Sequence, residues 1–154
     1  MSPALHYLFH HSFYNVLGSL IYVTVASVAV LRGKLPARLM GSALLAEFVL
    51  ALLFDNYVNV GSLEVGIFVL DTLLLGFMIW LSLSYLRVWI VSAAAAQVLS
   101  VCVHIAKLRD PTIGGWVYVT AVVVCGYLVT LSLAASLVHQ WLNNKDSRFV
   151  SGSG

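Results

Sequence analysis

The sequence predicts an all-α fold, an integral membrane helical bundle of about five transmembrane helices. Three observations carry that prediction. The chain is 61% hydrophobic and only 9% charged, with a mean hydropathy of +0.98. A soluble domain carries about 25% charged residues, which a globule of this size needs for its polar shell. The apolar residues fall in continuous runs, without the two-residue alternation of a membrane β-barrel. The runs are divided by short stretches rich in Gly, Pro, Asn and Asp, which punctuate helices. A length of 154 residues allows one domain.

Taken in order, the first run covers Tyr14 to Leu31 and is just long enough to cross. The second, Leu39 to Phe54, is short and reads either as a span that thins the bilayer or as re-entrant. The third (Glu64 to Leu86), fourth (Val88 to Leu108) and fifth (Gly115 to Leu142) each reach the length a spanning helix needs, about 20 residues. Between them lie "RGKLPAR" at 32–38, "DNYVNVGS" at 55–62, Arg87, and "RDPTIGG" at 109–115. Residues 1–13 read as an interfacial N-terminal segment, 14–142 as the bundle, and 143–154 as a polar, flexible tail. No cleavable signal peptide is expected, so the first span stays in the protein.

Charge sets the expected orientation. With five crossings, Arg32, Lys34, Arg38, Arg87, Lys145 and Arg148 share one side, against Lys107 and Arg109 on the other. The positive-inside rule puts the larger group in the cytoplasm. The expectation is a bacterial inner-membrane protein with its N-terminus outside and its C-terminus cytoplasmic. A net charge of +2 and no basic patch with interleaved aromatics exclude nucleic acid as a partner. The two cysteines, Cys102 and Cys125, lie inside apolar runs and read as free thiols rather than a disulfide.

Ionisable groups within spans are costly and mark candidate sites. Asp71 lies two turns into the third segment, seven residues after Glu64 and on the same face. His104 lies one turn inside the end of the fourth, seven residues after Gln97, and should reach the depth of Asp71. Thr120 and Tyr127 repeat that spacing on the fifth. These residues suggest a polar seam opening to the outer face, ringed by Asp55, Lys107, Arg109 and Asp110. Glu47, mid-way along the second segment, would continue the path inward. A carboxylate beside an imidazole can pass protons, bind a cation, hold a polar head group, or simply lock two helices together.

The stretch "HYLFHH" places His6 and His10 four residues apart, with His11 following. That spacing suits a metal. It equally suits the aromatic-rich boundary of a membrane, where Leu5, Tyr7, Phe9, Phe13 and Tyr14 would sit. No HExxH, CxxC or haem-attachment motif is present. No cofactor is predicted; a metal or haem is the lesser alternative. The "SAAAAQ" run at 92–97, with Gly18, Gly76 and Gly126, offers small residues for close helix packing, within the chain or between copies.

The pieces "RGKLPAR", "LEVGIFVLDTLLL", "RVWIVSAAAAQVLSVCVHIAKLRDP" and "WVYVTA" resemble a group of small multi-pass inner-membrane proteins of alphaproteobacteria. The resemblance covers most of residues 17 to 138. Its positions here are Glu64, Asp71, Arg87, Trp89, Gln97, His104, Asp110, Pro111, Trp116 and Tyr118. This chain lacks the group's proline after Trp89 and has a longer, His-bearing N-terminus. The group implies the fold and flags the same seam, and implies no activity.

The leading functional expectation is a channel- or transporter-like protein for protons, ions or a small solute. The alternatives are a non-enzymatic accessory subunit of a larger membrane complex, or a lipid-, quinone- or metal-binding membrane protein. An enzyme is the less favoured class. Expected partners are the lipid bilayer and either further copies of the chain or a larger complex.

Overall fold

The structure, a computed structural model, describes the backbone of residues 3–57 and 60–151 and the side chains of 17–53 and 65–143. Five helices follow one another: α1 Pro3–Arg32, α2 Leu35–Tyr57, α3 Val60–Tyr85, α4 Val88–Arg109 and α5 Gly115–Ser151. Among the described residues, four stretches are long and apolar enough to cross a membrane: Leu35–Leu53, Val65–Tyr85, Val88–Arg109 and Gly115–Asn143. The described part of α1, Leu17–Arg32, is apolar but shorter. Every helix turns large apolar side chains outward: Leu20, Val49, Leu73, Leu99 and Leu131 are each more than half exposed. Burying such surfaces needs hydrocarbon rather than water, so the fold is a helical membrane bundle.

The short connections make neighbouring helices antiparallel. The α1–α2 and α3–α4 connections gather at one end, here the Arg87 end. The α4–α5 connection lies at the other, here the Asp110 end.

The second helix is longer than its apolar run suggests. Pro36 and Arg38 interrupt the hydrophobic pattern, yet the helix begins at Leu35 and is continuous for 23 residues. Pro36 falls in the first turn, where its missing N–H has no intrahelical partner to lose. The Arg38 Nε donates to the Val30 carbonyl at 2.9 Å, so its charge caps the end of α1. At about 1.5 Å per residue the helix measures about 34 Å, enough to cross.

Two connections show how little chain a reversal needs. Leu86 and Arg87 alone join α3 to α4, and Leu86 takes a left-handed φ of 44° to do so. The α4–α5 connection is tied by its own polar groups. Lys107 Nζ donates to the carbonyls of Ile113 (2.7 Å) and Pro111 (3.3 Å), while the Asp110 carboxylate accepts from the Thr112 amide (2.9 Å) and hydroxyl (2.5 Å).

The apolar core lies toward the Arg87 end. Met40, Leu44, Met78, Leu81, Ile90 and Leu133 are fully buried there. Beside them α1 and α2 approach through small residues. A Cβ added at Gly41 would sit 2.7 Å from the Ala26 carbonyl oxygen and 2.9 Å from the Ala29 Cβ. Ala93, Ala94 and Ala96 of the alanine run are buried in the same core, so that face packs within the chain.

Candidate functional site

The face of α4 that carries Gln97, Ser100 and His104 packs against Asp71 of α3. Spacings of three and four residues stack these side chains on one stripe of the helix. All three contact Asp71. His104 Nε2 lies 2.9 Å from Asp71 Oδ2, and the Ser100 hydroxyl donates to the same oxygen at 2.6 Å. The Gln97 amide donates to the Asp71 backbone carbonyl at 3.3 Å. From α5, the Tyr118 hydroxyl meets His104 Nδ1 at 2.8 Å, with the two rings edge to face. His104 is only 2% exposed and Asp71 7%, so the network is buried among the helices. The Phe68 ring lies 5.9 Å from the imidazole and closes that side.

The network fixes the imidazole's protons. When Asp71 is ionised, Nε2 must carry a hydrogen to donate to Oδ2. In the neutral imidazole Nδ1 then accepts from Tyr118; in the cation Nδ1 donates instead, and the phenol rotates to accept. The same heavy-atom positions therefore accommodate an extra proton at His104.

Beyond Asp71 a small cavity of about 160 Å³ opens between the helices. Asp71, Glu47, Tyr22, Gln97 and Ser100 all contribute to its wall. The Tyr22 hydroxyl lies 3.1 Å from Glu47 Oε2 and 3.2 Å from the Leu44 carbonyl. The Glu47 and Asp71 carboxyls both face this cavity. A line of polar groups thus runs Tyr118, His104, Asp71, cavity, Glu47, Tyr22, and each of the five helices supplies at least one member.

Of the residues the sequence nominated, Asp71, His104, Gln97 and Glu47 come together here. Glu47 shares Asp71's cavity and passes its contact on to Tyr22. One turn toward the Arg87 end, α2 presents Leu44, buried in the apolar core.

Tyr127 does not line the cavity of Asp71 and Glu47; it lines a neighbouring pocket with Tyr22 and Phe48. The inward face of α5 carries Tyr118, Cys125, Val129 and Leu133. Tyr127 is two residues, or about 200° of helix turn, beyond Cys125. It is 40% exposed and packs over Gly18. Thr120 likewise turns back to its own Trp116 carbonyl.

In the expected outer ring, Lys107 and Asp110 serve the α4–α5 turn. Arg109 is exposed at the end of α4. Glu64 lies in the first turns of α3, but its side chain falls outside the described residues, as do those of Asp55, His6, His10 and His11. Among the described residues no three His, Cys, Asp or Glu side chains gather as a metal site. Cys102 and Cys125 are free.

Sequence reasoning passes over Ser100 and Tyr22 as members of the network, and reaches Tyr118 only through the resemblance. Ser100 is legible from its spacing, three after Gln97 and four before His104. Tyr118 and Tyr22 carry no periodic signal; only the rotation of α5 and α1 brings their hydroxyls inward. Comparison of the chain with protein-family models, with curated proteins and with solved structures gave no match.

Proposed function

We propose that the chain is a small transporter-like protein of a bacterial inner membrane that takes up and releases protons at the buried Asp71–His104–Glu47 seam. The Asp110 end faces outward in this reading and the cation-rich Arg87 end faces the cytoplasm, as the positive-inside rule favours. Kinship with the alphaproteobacterial group belongs to the same proposal.

The observation that carries it is the unbroken chain from Tyr118 through His104 to Asp71, ending at a cavity shared with a second carboxyl. Buried carboxyl and imidazole groups in hydrogen-bonded sequence are what proton relays in pumps and transporters use. A proton reaching His104 passes to Asp71 along an existing hydrogen bond, and the cavity brings Glu47 within reach. Leu44, Met78 and Leu81 close the way toward the Arg87 end, so release on that side requires this layer to part.

A second reading has its own support: every buried side-chain polar atom among the described residues has a hydrogen-bond partner. Complete satisfaction suits a brace that fixes helix packing in an accessory subunit. Proteoliposomes loaded with a pH-sensitive dye separate the two. The proton reading expects flux under an imposed gradient, reduced at least about tenfold by Asp71→Asn and by His104→Gln in protein that remains helical. Flux at the rate of empty vesicles for the unmodified chain favours the brace and ends the proton reading.

A further inference from the structure

A large cleft lies away from the seam. It measures about 1150 Å³ and opens at the Arg87 end, walled mainly by α4 and α5. It is distinct from the polar cavity: Ala96 and Leu128 line the cleft, whereas their neighbours Gln97 and Val129 line the cavity. The two helices separate the spaces, one facing inward and one opening outward.

The cleft carries its cations at one end. Lys34, Arg87 and His139 lie toward the Arg87 end, among Leu35, Leu86 and Val88, and the wall further along α4 and α5 carries Leu99, Leu128 and Leu131. His139 is engaged with Asn143 at 3.2 Å, and Gln140 accepts from the Lys34 backbone amide at 2.9 Å. The Lys34 ammonium and the Arg87 guanidinium have no acidic partner among the described residues. The start of α4 adds to this positive charge, because its N-cap, Arg87, makes no side-chain capping hydrogen bond.

Depth matches charge. From Arg87 to Leu99 the cleft follows twelve residues of α4, about 18 Å at 1.5 Å per residue. That is close to one leaflet of a hydrocarbon core about 30 Å thick. Cations at the head-group level above one leaflet's depth of apolar wall complement an anionic amphiphile.

We propose that this cleft binds an anionic glycerophospholipid, with its phosphate against Lys34 and Arg87 and one acyl chain along Leu99, Leu128 and Leu131. An apolar partner helix would bring no counter-charge to these two cations, which have none among the described residues, whereas a phosphate neutralises them. The site is independent of the proton seam.

The test is native mass spectrometry of the full chain in a mild micelle, titrated separately with phosphatidylglycerol and phosphatidylcholine of matched chains. Phosphatidylglycerol should be retained at least about tenfold more tightly. The Lys34→Gln/Arg87→Gln double variant should lose that preference while keeping its helical spectrum. Ala135→Phe, which fills the wall without touching the charges, should weaken both lipids. Equal retention of the two lipids by the unmodified chain overturns the proposal, and that comparison decides the matter even if a variant fails to fold. A preference that survives in the folded double variant overturns it too. So does a dimer that excludes lipid from the cleft.

Discussion

Toward the Asp110 end, α3, α4 and α5 meet through Asp71, His104, Ser100 and Tyr118, held by hydrogen bonds of 2.6–2.9 Å. Toward the Arg87 end, α1 and α2 meet through Gly41, Ala26 and Ala29, with little between them but backbone. The first contact is directional and polar; the second is steric and apolar. In lipid neither gains from hydrophobic exclusion, since the solvent is as apolar as the side chains. One half therefore depends on partners being present, and the other on atoms being absent. That difference sets what each half tolerates: the polar half should fail when a group is removed, and the packed half when one is added.

The largest effect should come from deleting the hub of the polar half. Asp71→Ala leaves His104 and Ser100 without their acceptor in a closed site. We expect a loss of about 3 kcal/mol, the low end for breaking a buried ion pair, because unfolded membrane helices also find partners. Denaturant unfolding in micelles measures it, with Asp71→Asn expected to cost less because it keeps an acceptor oxygen. A loss below that of an ordinary surface substitution would show that the network carries no stability.

In the packed half the expected effect is smaller and of opposite origin. Gly41→Ala adds one methyl where 2.7 Å separates its position from the Ala26 carbonyl oxygen. Overpacking of this kind costs about 1–3 kcal/mol. Gly76, with open space around a Cβ, supplies the control: Gly76→Ala should be neutral or slightly stabilising, since Ala is the better helix former. The same unfolding assay reads both, and equal effects at the two glycines would remove close approach as the cause.

The smallest effect lies outside the membrane, at the α4–α5 turn. The Thr112 hydroxyl, and after it the Thr112 amide, hold the Asp110 carboxyl below the usual carboxylate range. An unperturbed Asp titrates near about 3.9. Because the folded value is the lower one, the turn's contribution is complete above that pH and is lost as pH falls through the folded value. Hydrogen-exchange protection of the Thr112 amide should be flat from pH 5 to pH 8 and drop on the acid side. Asp110→Asn keeps the acceptor without the titration, so its protection should stay level into acid.

Much of this molecule is legible in its residues alone. Continuous apolar runs and sparse charge require a helical membrane bundle, because only helices satisfy every backbone group within such a run. The matched seven-residue spacings Glu64–Asp71 and Gln97–His104 place a carboxylate and an imidazole at one depth on consecutive antiparallel helices. The limits of α2 are less legible, because its local chemistry looks like a break. Pro36 is harmless in a first turn, and Arg38 is absorbed by the Val30 carbonyl.

The linear order of residues thus settles the class of fold, the order of the helices and the common depth of Asp71 and His104. All of these follow from the length and period of a single helix or of two adjacent ones. Which way each helix turns about its own axis is settled only in the assembled bundle. That rotation brings Tyr118 and Tyr22 into the seam, sets Tyr127 against a neighbouring pocket, seats Glu47 across a cavity from Asp71, and opens the cleft between α4 and α5. Rotation is set by packing against several neighbours at once, through contacts such as Gly41 on Ala26 that no single helix encodes.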